Sequence, residues 1–264
     1  PSGSSGMNMT IIGVVVPFLM NMNNNNRLKE RFEDMKSELE EKVNEATEQA
    51  GLAEEAINVV SDLKTQFLEI EANINQSKAE ADESAKEAKA SQLFAQALSE
   101  NDLNRKIEFY SQAIELNPKF AEAYNNRGVA KSNIERYEEA IEDYGKAIGL
   151  NPNDVEAYNN RAMAYLEQNE YKLALDDVGK AISIDSTDAC FYDTRGEILS
   201  AMGEYAEALS NYHTAITINA SCKEAYYNRA KCYRKLAEKE QDESKKAEYL
   251  TKAEADEQTA KSLR

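Results

Sequence analysis

Cysteine, histidine and paired carboxylates are the side chains of this sequence that could do covalent, metal or acid–base chemistry. The three cysteines, Cys190, Cys222 and Cys232, have no CxxC or zinc-ligand spacing, and His213 is the only histidine. One histidine makes no recognisable nucleophile and base arrangement, and a Gly-rich phosphate loop is absent from the sequence. We therefore expect a chain that is not an enzyme, with no metal and no cofactor, whose cysteines are small apolar residues in a reducing compartment.

The composition favours helices and disfavours nucleic acid as a partner. With 264 residues, of which 42% are hydrophobic, the chain can fill a core. Its 10 glycines and 4 prolines supply few turns for a many-stranded β fold. The net charge of −17 repels phosphates, so we expect no nucleic-acid partner.

The first 26 residues carry no charged side chain. Residues 1–6 (PSGSSG) are typical of a linker or an expression scar, and residues 7–26 form a hydrophobic segment followed by an asparagine-rich spacer. The apolar stretch 9–22 would span only ~21 Å as a helix, against a ~30 Å hydrocarbon core. Three alternatives remain: a short membrane anchor, an interfacial or partner-buried segment, and the hydrophobic start of a coil. As an anchor followed by Arg27, Lys29 and Arg31, it would keep the chain on the cytoplasmic face of a membrane.

Residues 27–100 have the composition of one long helix, because they contain no proline and a single glycine, Gly51. Apolar residues recur at alternating spacings of four and three. This spacing predicts an apolar stripe, called the seam below, that packs against a partner helix. The seam contains Leu28, Phe32, Met35, Leu39, Ala46, Ala53, Ala56, Val60, Leu63, Phe67, Ile70, Ile74 and Ala81. The alternatives are a coiled coil that makes a homo-oligomer, and a stalk that is a single helix or a helix folded back on itself.

From about residue 87 the sequence repeats itself with a period of 34 residues. Tyrosine, arginine and alanine recur in separate registers. These registers are Tyr124, Tyr158, Tyr192 and Tyr226; Arg127, Arg161, Arg195 and Arg229; Ala140, Ala174 and Ala208; and Ala147, Ala181 and Ala215.

This pattern resembles the tetratricopeptide repeat (TPR) family, and the repeat at 121–154 carries its signature. The matching residues are Tyr124, Gly128, Ala140, Tyr144, Ala147 and Pro152. The resemblance implies an all-α fold, in which the long N-terminal coiled-coil helix continues into an α-solenoid of helix-turn-helix repeats. Repeats are expected near 87–120, 121–154, 155–188, 189–222 and 223–256, followed by a C-terminal cap, with a last hairpin about four residues longer than the others.

Members of this family generally bind a partner protein or an extended peptide along a concave face formed by the first helix of each repeat. The resemblance therefore suggests peptide-binding residues at positions 5 and 6 of the repeats. These are Asn125, Asn126, Asn159, Asn160, Thr194 and Asn228. We expect the position-6 amides to face the groove, so that their replacement leaves stability nearly unchanged. The alternative is that the NNR sequence is common in such repeats and does not bind a ligand.

Two functions are compatible with these features. The first is a non-catalytic adaptor that recruits a basic or neutral protein segment, because glutamates occupy position 2 of three repeats at Glu122, Glu156 and Glu224. The second is a structural protein whose repeats pack on copies of themselves. The lysine and arginine clamp of the chaperone-binding subclass is missing, which argues against that role.

Overall fold

The computed structural model describes residues 26–48 and 53–263, and within these residues the chain forms eleven helices and no strand. The helices are α1 (Asn26–Glu48), α2 (Ala53–Ser99), α3 (Leu103–Leu116), α4 (Ala121–Ser132), α5 (Tyr137–Leu150), α6 (Val155–Glu167), α7 (Tyr171–Ile184), α8 (Ala189–Met202), α9 (Tyr205–Ile218), α10 (Lys223–Lys239) and α11 (Glu243–Ser262). None of them is both long and apolar enough to cross a membrane. The predictions for residues 1–25, including the anchor at 9–22, concern residues outside this range and stay predictions.

The chain divides into two compact units, residues 1–87 and residues 88–264. In the first unit, the segment predicted as one helix is described as two, α1 and the first part of α2. The Nζ atom of Lys36 lies 5.9 Å from the ring centre of Phe67. One straight helix would hold these residues roughly 46 Å apart, at about 1.5 Å per residue. The chain therefore reverses direction between them, which favours the folded-back alternative for the stalk.

The predicted seam of α2 is the less exposed side of that helix. Half-buried positions recur along it at Val60, Leu63, Phe67, Ile70, Ile74 and Ala81. None of them is fully buried, whereas Ile57 is 63% exposed and Leu68 is 56% exposed. On α1, Met35 was also placed in the seam, but it is 55% exposed. The first unit thus leaves much of its apolar surface in water.

The second unit is a row of antiparallel helical hairpins, and the predicted all-α solenoid is confirmed. The end of α2 packs on α3, where the rings of Phe94 and Tyr110 are 5.5 Å apart. The remaining helices pair in sequence order as α4 with α5, α6 with α7, α8 with α9, and α10 with α11. Each hairpin also packs on the next one. The core is therefore a chain of small clusters, as expected for a solenoid.

The two helices of each hairpin approach at a point where one side chain is small. Gly128 faces the ring of the fully buried Tyr144, and Gly196 faces that of Tyr212 in the same way. In the hairpin between them, Ala162 takes the glycine position and the smaller Val178 takes the tyrosine position, and both are fully buried in one cluster. A larger residue at the glycine position thus occurs together with a smaller one at the tyrosine position, so that both fit between the helices.

Aspartates begin several of these helices. Asp154 accepts a hydrogen bond from the backbone N–H of Ala157 at the start of α6, at 3.0 Å. Asp188 accepts from Cys190 at the start of α8, at 2.8 Å. Such N-caps satisfy backbone donors that have no partner within the helix. They therefore stabilise the first turns of α6 and α8.

The last hairpin is longer than expected. The carboxylate of Asp256 on α11 pairs with Arg229 from twenty-seven positions away, whereas the corresponding pairs in the second and third hairpins are sixteen positions apart. The insertion is therefore eleven residues, not about four. Ala253, Asp256 and Ala260 are buried on α11 and repeat the spacing of Ala140, Asp143 and Ala147. The segment predicted as a solvated cap is thus the second helix of the last hairpin.

The glycine contacts generate a stability prediction. An added Cβ atom would lie 2.7 Å from the Tyr144 ring at position 128 and 2.5 Å from the Tyr212 ring at position 196. Gly128→Ala and Gly196→Ala should each lower the free energy of unfolding by about 1–3 kcal/mol, because the ring must move. In urea titrations, Gly179→Ala is the matched control, since nothing lies within 4 Å of its added Cβ. That variant should be neutral or up to about 1 kcal/mol more stable. Equal effects at all three positions would contradict the packing explanation.

Candidate functional site

The six residues predicted to bind a peptide lie on the first helices of the hairpins, α4, α6, α8 and α10. Asn125 is only 4% exposed and Thr194 only 5% exposed. These two side chains leave little surface for a ligand. Asn126, Asn159, Asn160 and Asn228 are half-buried. The structure thus narrows the candidate site to these four asparagines.

Neighbouring first helices are joined by hydrogen bonds between the predicted residues. The Asn160 amide donates to Oδ1 of Asn125 in the preceding repeat, at 3.1 Å. The Asn228 amide donates in the same way to the carboxylate of Asp193, at 3.1 and 3.3 Å. A position-6 amide of one repeat therefore bonds to the position-5 oxygen of the repeat before it. Because the acceptors are buried, this series of hydrogen bonds between neighbouring first helices, called the ladder below, is part of the structural framework.

The ladder changes what replacement of these asparagines should do. Removing the amide of Asn160 or Asn228 leaves Asn125 or Asp193 buried with one partner fewer. An unsatisfied buried polar group costs about 1–3 kcal/mol. For these two residues we therefore expect substitution to lower stability, in place of the nearly unchanged stability expected from the sequence.

The ladder is interrupted at its middle rung. The spacing that joins the other two rungs would pair Thr194 with Asn159, but threonine has no amide and a shorter side chain. The Oδ1 atom of Asn159 is buried and has no hydrogen-bond partner among the described residues. Buried polar atoms are almost always paired, with protein or with water. This oxygen is therefore a buried acceptor without a partner on the first helix of its repeat.

Asp193, at the last rung, holds a proton unusually tightly. Burial is the main cause that raises its pKa to about 7, and the nearby charge of Glu197 adds to it. The hydrogen bond from Asn228 acts in the opposite direction but does not restore an ordinary value. The Glu197 carboxyl also has a raised pKa, again mainly because of burial. Two adjacent carboxyl groups on α8 are thus poorly solvated.

A cavity of about 380 Å³ opens beside these carboxyl groups, between α6, α8 and α10. Its polar lining includes Glu167, Glu197, Asn228 and Lys231, and the buried ring of Tyr212 contributes from α9. This volume is within the range of sites that take small ligands or single side chains. Of the residues predicted from the sequence, Asn228 is the one that lines this cavity. Glu167 and Glu197, at positions 13 and 9 of their repeats, were missed because the predicted site included only positions 5 and 6.

Buried ion pairs tie the first helix of three hairpins to the second. Both ends of the Arg127 guanidinium donate to the Asp143 carboxylate, at 2.8 and 2.6 Å. Arg161 and Arg229 make the same two bonds, with Asp177 and Asp256. In the hairpin of α8 and α9, Asn211 takes the place of the aspartate and accepts one bond from Arg195. Each arginine also lies 5.2–5.9 Å from the tyrosine ring three positions before it.

The sequence pattern revealed these arginines but not their partners. The signal was present, since Asp143, Asp177 and Asn211 are also 34 residues apart. The arginines are therefore structural, although they belong to the same NNR motif as the candidate site.

The cysteine thiols are unsuited to nucleophilic chemistry. Loss of solvation raises the pKa of Cys190 and that of Cys232 to about 11, so both stay protonated at neutral pH. Over residues 26–48 and 53–263, no three histidine, cysteine or acidic side chains are grouped so that they could hold a metal ion.

The raised pKa of Asp193 predicts a pH-dependent effect of its replacement. In the unfolded chain this carboxyl ionises near pH 4, whereas the folded chain keeps the proton until about pH 7. Stability therefore falls as pH rises between these values. An amide at this position would stay neutral and could still accept from Asn228, so Asp193→Asn should raise the melting temperature at pH 8 and much less at pH 5. The exposed Asp176→Asn is the control. A gain for Asp193→Asn that does not vary with pH would contradict this explanation.

Comparison with known proteins agrees with this architecture. Residues 121–154 and 155–188 each match the Tetratricopeptide repeat family. No curated protein matches the chain. The crystal structure of YrrB, described as a TPR protein with an unusual peptide-binding site, is 26% identical, with a TM-score of 0.52 over 70% of this chain and 95% of YrrB.

Two further structures share the fold at lower identity. MamA from Desulfovibrio magneticus RS-1 is 17% identical, with a TM-score of 0.56 over 66% of this chain and 96% of its own. A thermophilic TPR protein in Thermus thermophilus is 17% identical, with a TM-score of 0.54 over 69% and 91%. The family matches thus identify two tetratricopeptide repeats at residues 121–188, and the row of helical hairpins has the fold of these solved TPR structures.

Proposed function

We propose that this chain is a non-catalytic adaptor that binds an extended segment of a partner protein along its first-helix face. The observation that carries the proposal is the Oδ1 atom of Asn159, which is buried and unpaired where the ladder is interrupted. A backbone N–H of an extended segment would satisfy this acceptor, and would recover part of the ~1–3 kcal/mol that an unpaired polar atom costs. The peptide-binding site named for YrrB supports the same assignment.

The charge of the chain favours a basic or neutral partner segment. Glu122, Glu156 and Glu224 are exposed on the first turns of α4, α6 and α10. With a net charge of −17, the chain repels an acidic segment and attracts a basic one over about 8–10 Å at ordinary ionic strength. Affinity for the partner should therefore decrease as salt is added.

The first unit supports a second role, self-association. Its seam on α2 is only half-buried, and Ile57, Val59 and Leu68 are more than half exposed. A second copy of the chain would cover this surface, at about 25 cal/mol for each Å² of apolar area removed from water. We propose that α1 and α2 make the protein a homo-oligomer, which would present several binding faces at once.

The three cysteines support a reducing location. None of them forms a disulfide, and Cys222 and Cys232 are buried as small apolar side chains. We propose that the protein works in the cytoplasm, with residues 9–22 as the segment that would tether it to a membrane.

The groove proposal is tested by selecting peptides from a random displayed library on the full-length chain. The double variant Asn126→Ala with Asn159→Ala should weaken their binding about 5- to 100-fold, because each amide contributes ~0.5–1.5 kcal/mol. Fluorescence anisotropy of labelled peptides measures this loss. The control is Asn133→Ala with Asn153→Ala, which removes two exposed amides from turns. Failure to enrich any peptide, or equal affinity for both double variants, would argue against the groove.

The self-association proposal is tested by light scattering of the full-length chain. The wild type should have at least twice the monomer mass, and Leu63→Lys with Ile70→Lys should shift it to the monomer, because two charges would be buried in the seam. Gln76→Lys places a charge at an exposed position of α2 away from the seam, Ile57 and Leu68, and should leave the mass unchanged. A wild-type chain with monomer mass over the whole concentration range would refute the proposal.

A further inference from the structure

We propose that the cavity between α6, α8 and α10 is a pocket for one lysine or arginine side chain of the bound partner segment. This inference rests on the proposed function, since it names the chemistry that the first-helix face selects. The cavity combines an apolar wall with carboxylates, and these two features match the two halves of a basic side chain.

The apolar wall fits the methylene stem of such a side chain. Met163 and Leu166 line the cavity from α6, and Ala201 lines it from α8. The fully buried Tyr212 adds its ring between them. Lysine and arginine bury their stems on apolar surfaces while the charged end stays near polar groups. With a volume of about 380 Å³, the cavity has room for the whole side chain.

The carboxylates of the cavity fit the charged end of a lysine or arginine side chain. Glu167 and Glu197 line the cavity from two different helices, and Asp193 lies behind Asn228, to which it is hydrogen-bonded. The resident cation is Lys231, which is on the exposed side of α10. Two lining carboxylates against one ammonium group leave the cavity negative, so an acidic or neutral side chain would gain less there than a basic one.

The poor solvation of the Glu197 carboxyl also favours a basic side chain as the occupant of the cavity. Burial raises its pKa and the charge of Glu167 raises it further, while Lys231 and Asn228 offset only part of this. A carboxylate in this condition is poorly solvated, and a cation entering the cavity would relieve that cost. The unpaired oxygen of Asn159 is one helical turn before Met163 on α6, so one bound segment can engage both.

The test uses the full-length chain and the peptides selected on it. We expect these peptides to share one basic position, and replacement of that residue by norleucine, which keeps the stem, should weaken binding at least tenfold. Glu167→Gln with Glu197→Gln should cause a similar loss for the basic peptide but almost no loss for its norleucine twin. Lys231→Met should strengthen binding of the basic peptide severalfold, because it removes the competing cation.

The matched control is Glu138→Gln with Glu142→Gln on α5. It makes the same change in net charge away from the cavity, so it should alter affinity by less than about twofold at ordinary salt. An equal loss in the control would mean that only overall charge matters, and would overturn the pocket. Selected peptides without a shared basic position would also overturn it, while leaving the groove proposal intact. Failure to select any peptide would reject the groove itself.

A free polyamine offers the same chemistry as a basic side chain, and spermidine distinguishes the two sources. We expect spermidine to compete with the basic peptide only at concentrations at least a hundredfold higher, because it lacks the backbone contacts of an extended segment. Spermidine binding as tight as that of the peptide, and lost in Glu167→Gln with Glu197→Gln, would show that the pocket takes a free polyamine instead.

Discussion

The close approach of two helices at a small residue is the constraint on which the rest of the solenoid depends. Gly128 and Gly196 bring the tyrosine rings of the facing helices against their backbone, with no space for even one additional carbon atom. Where the small residue is Ala162, the corresponding residue of the second helix is the smaller Val178, so that both still fit between the helices. Equal spacing within the hairpins allows them to stack in regular register.

This regular stacking also determines which positions of neighbouring first helices lie close to each other. Because each first helix follows the previous one in the same orientation, position 6 of one repeat lies close to position 5 of the repeat before it, as Asn160 and Asn228 show. Asparagine and aspartate turn that contact into a hydrogen bond. Thr194 interrupts the series and leaves Asn159 with an open acceptor. A local departure from a repeated pattern thus produces a polar feature that perfect repeats would lack.

Charge is divided between the two faces of the hairpins. The buried arginines are matched by aspartates on the second helix, so their charges are used within the framework. On the first-helix face, in contrast, Asp193 and Glu197 have few cations near them and their pKa values are raised. Structural arginines and poorly solvated carboxylates in neighbouring positions explain why the NNR motif alone could not reveal the site. In the NNR motif the arginine belongs to the framework, whereas the two asparagines have different roles in different repeats.

The sequence by itself determined the repeat period, the all-α solenoid and the small residues at the helix contacts, because these depend on spacings of four and 34 residues that are visible along the chain. It did not determine the reversal of the stalk between Lys36 and Phe67, since a heptad seam can pair with another copy or with itself. The length of the last hairpin was also missed, because eleven additional residues move Asp256 and its alanines out of register. Only the tertiary structure decided which polar residues are used by the framework and which stay open. That choice depends on distances between side chains of different repeats, and those distances exist only after the hairpins have stacked.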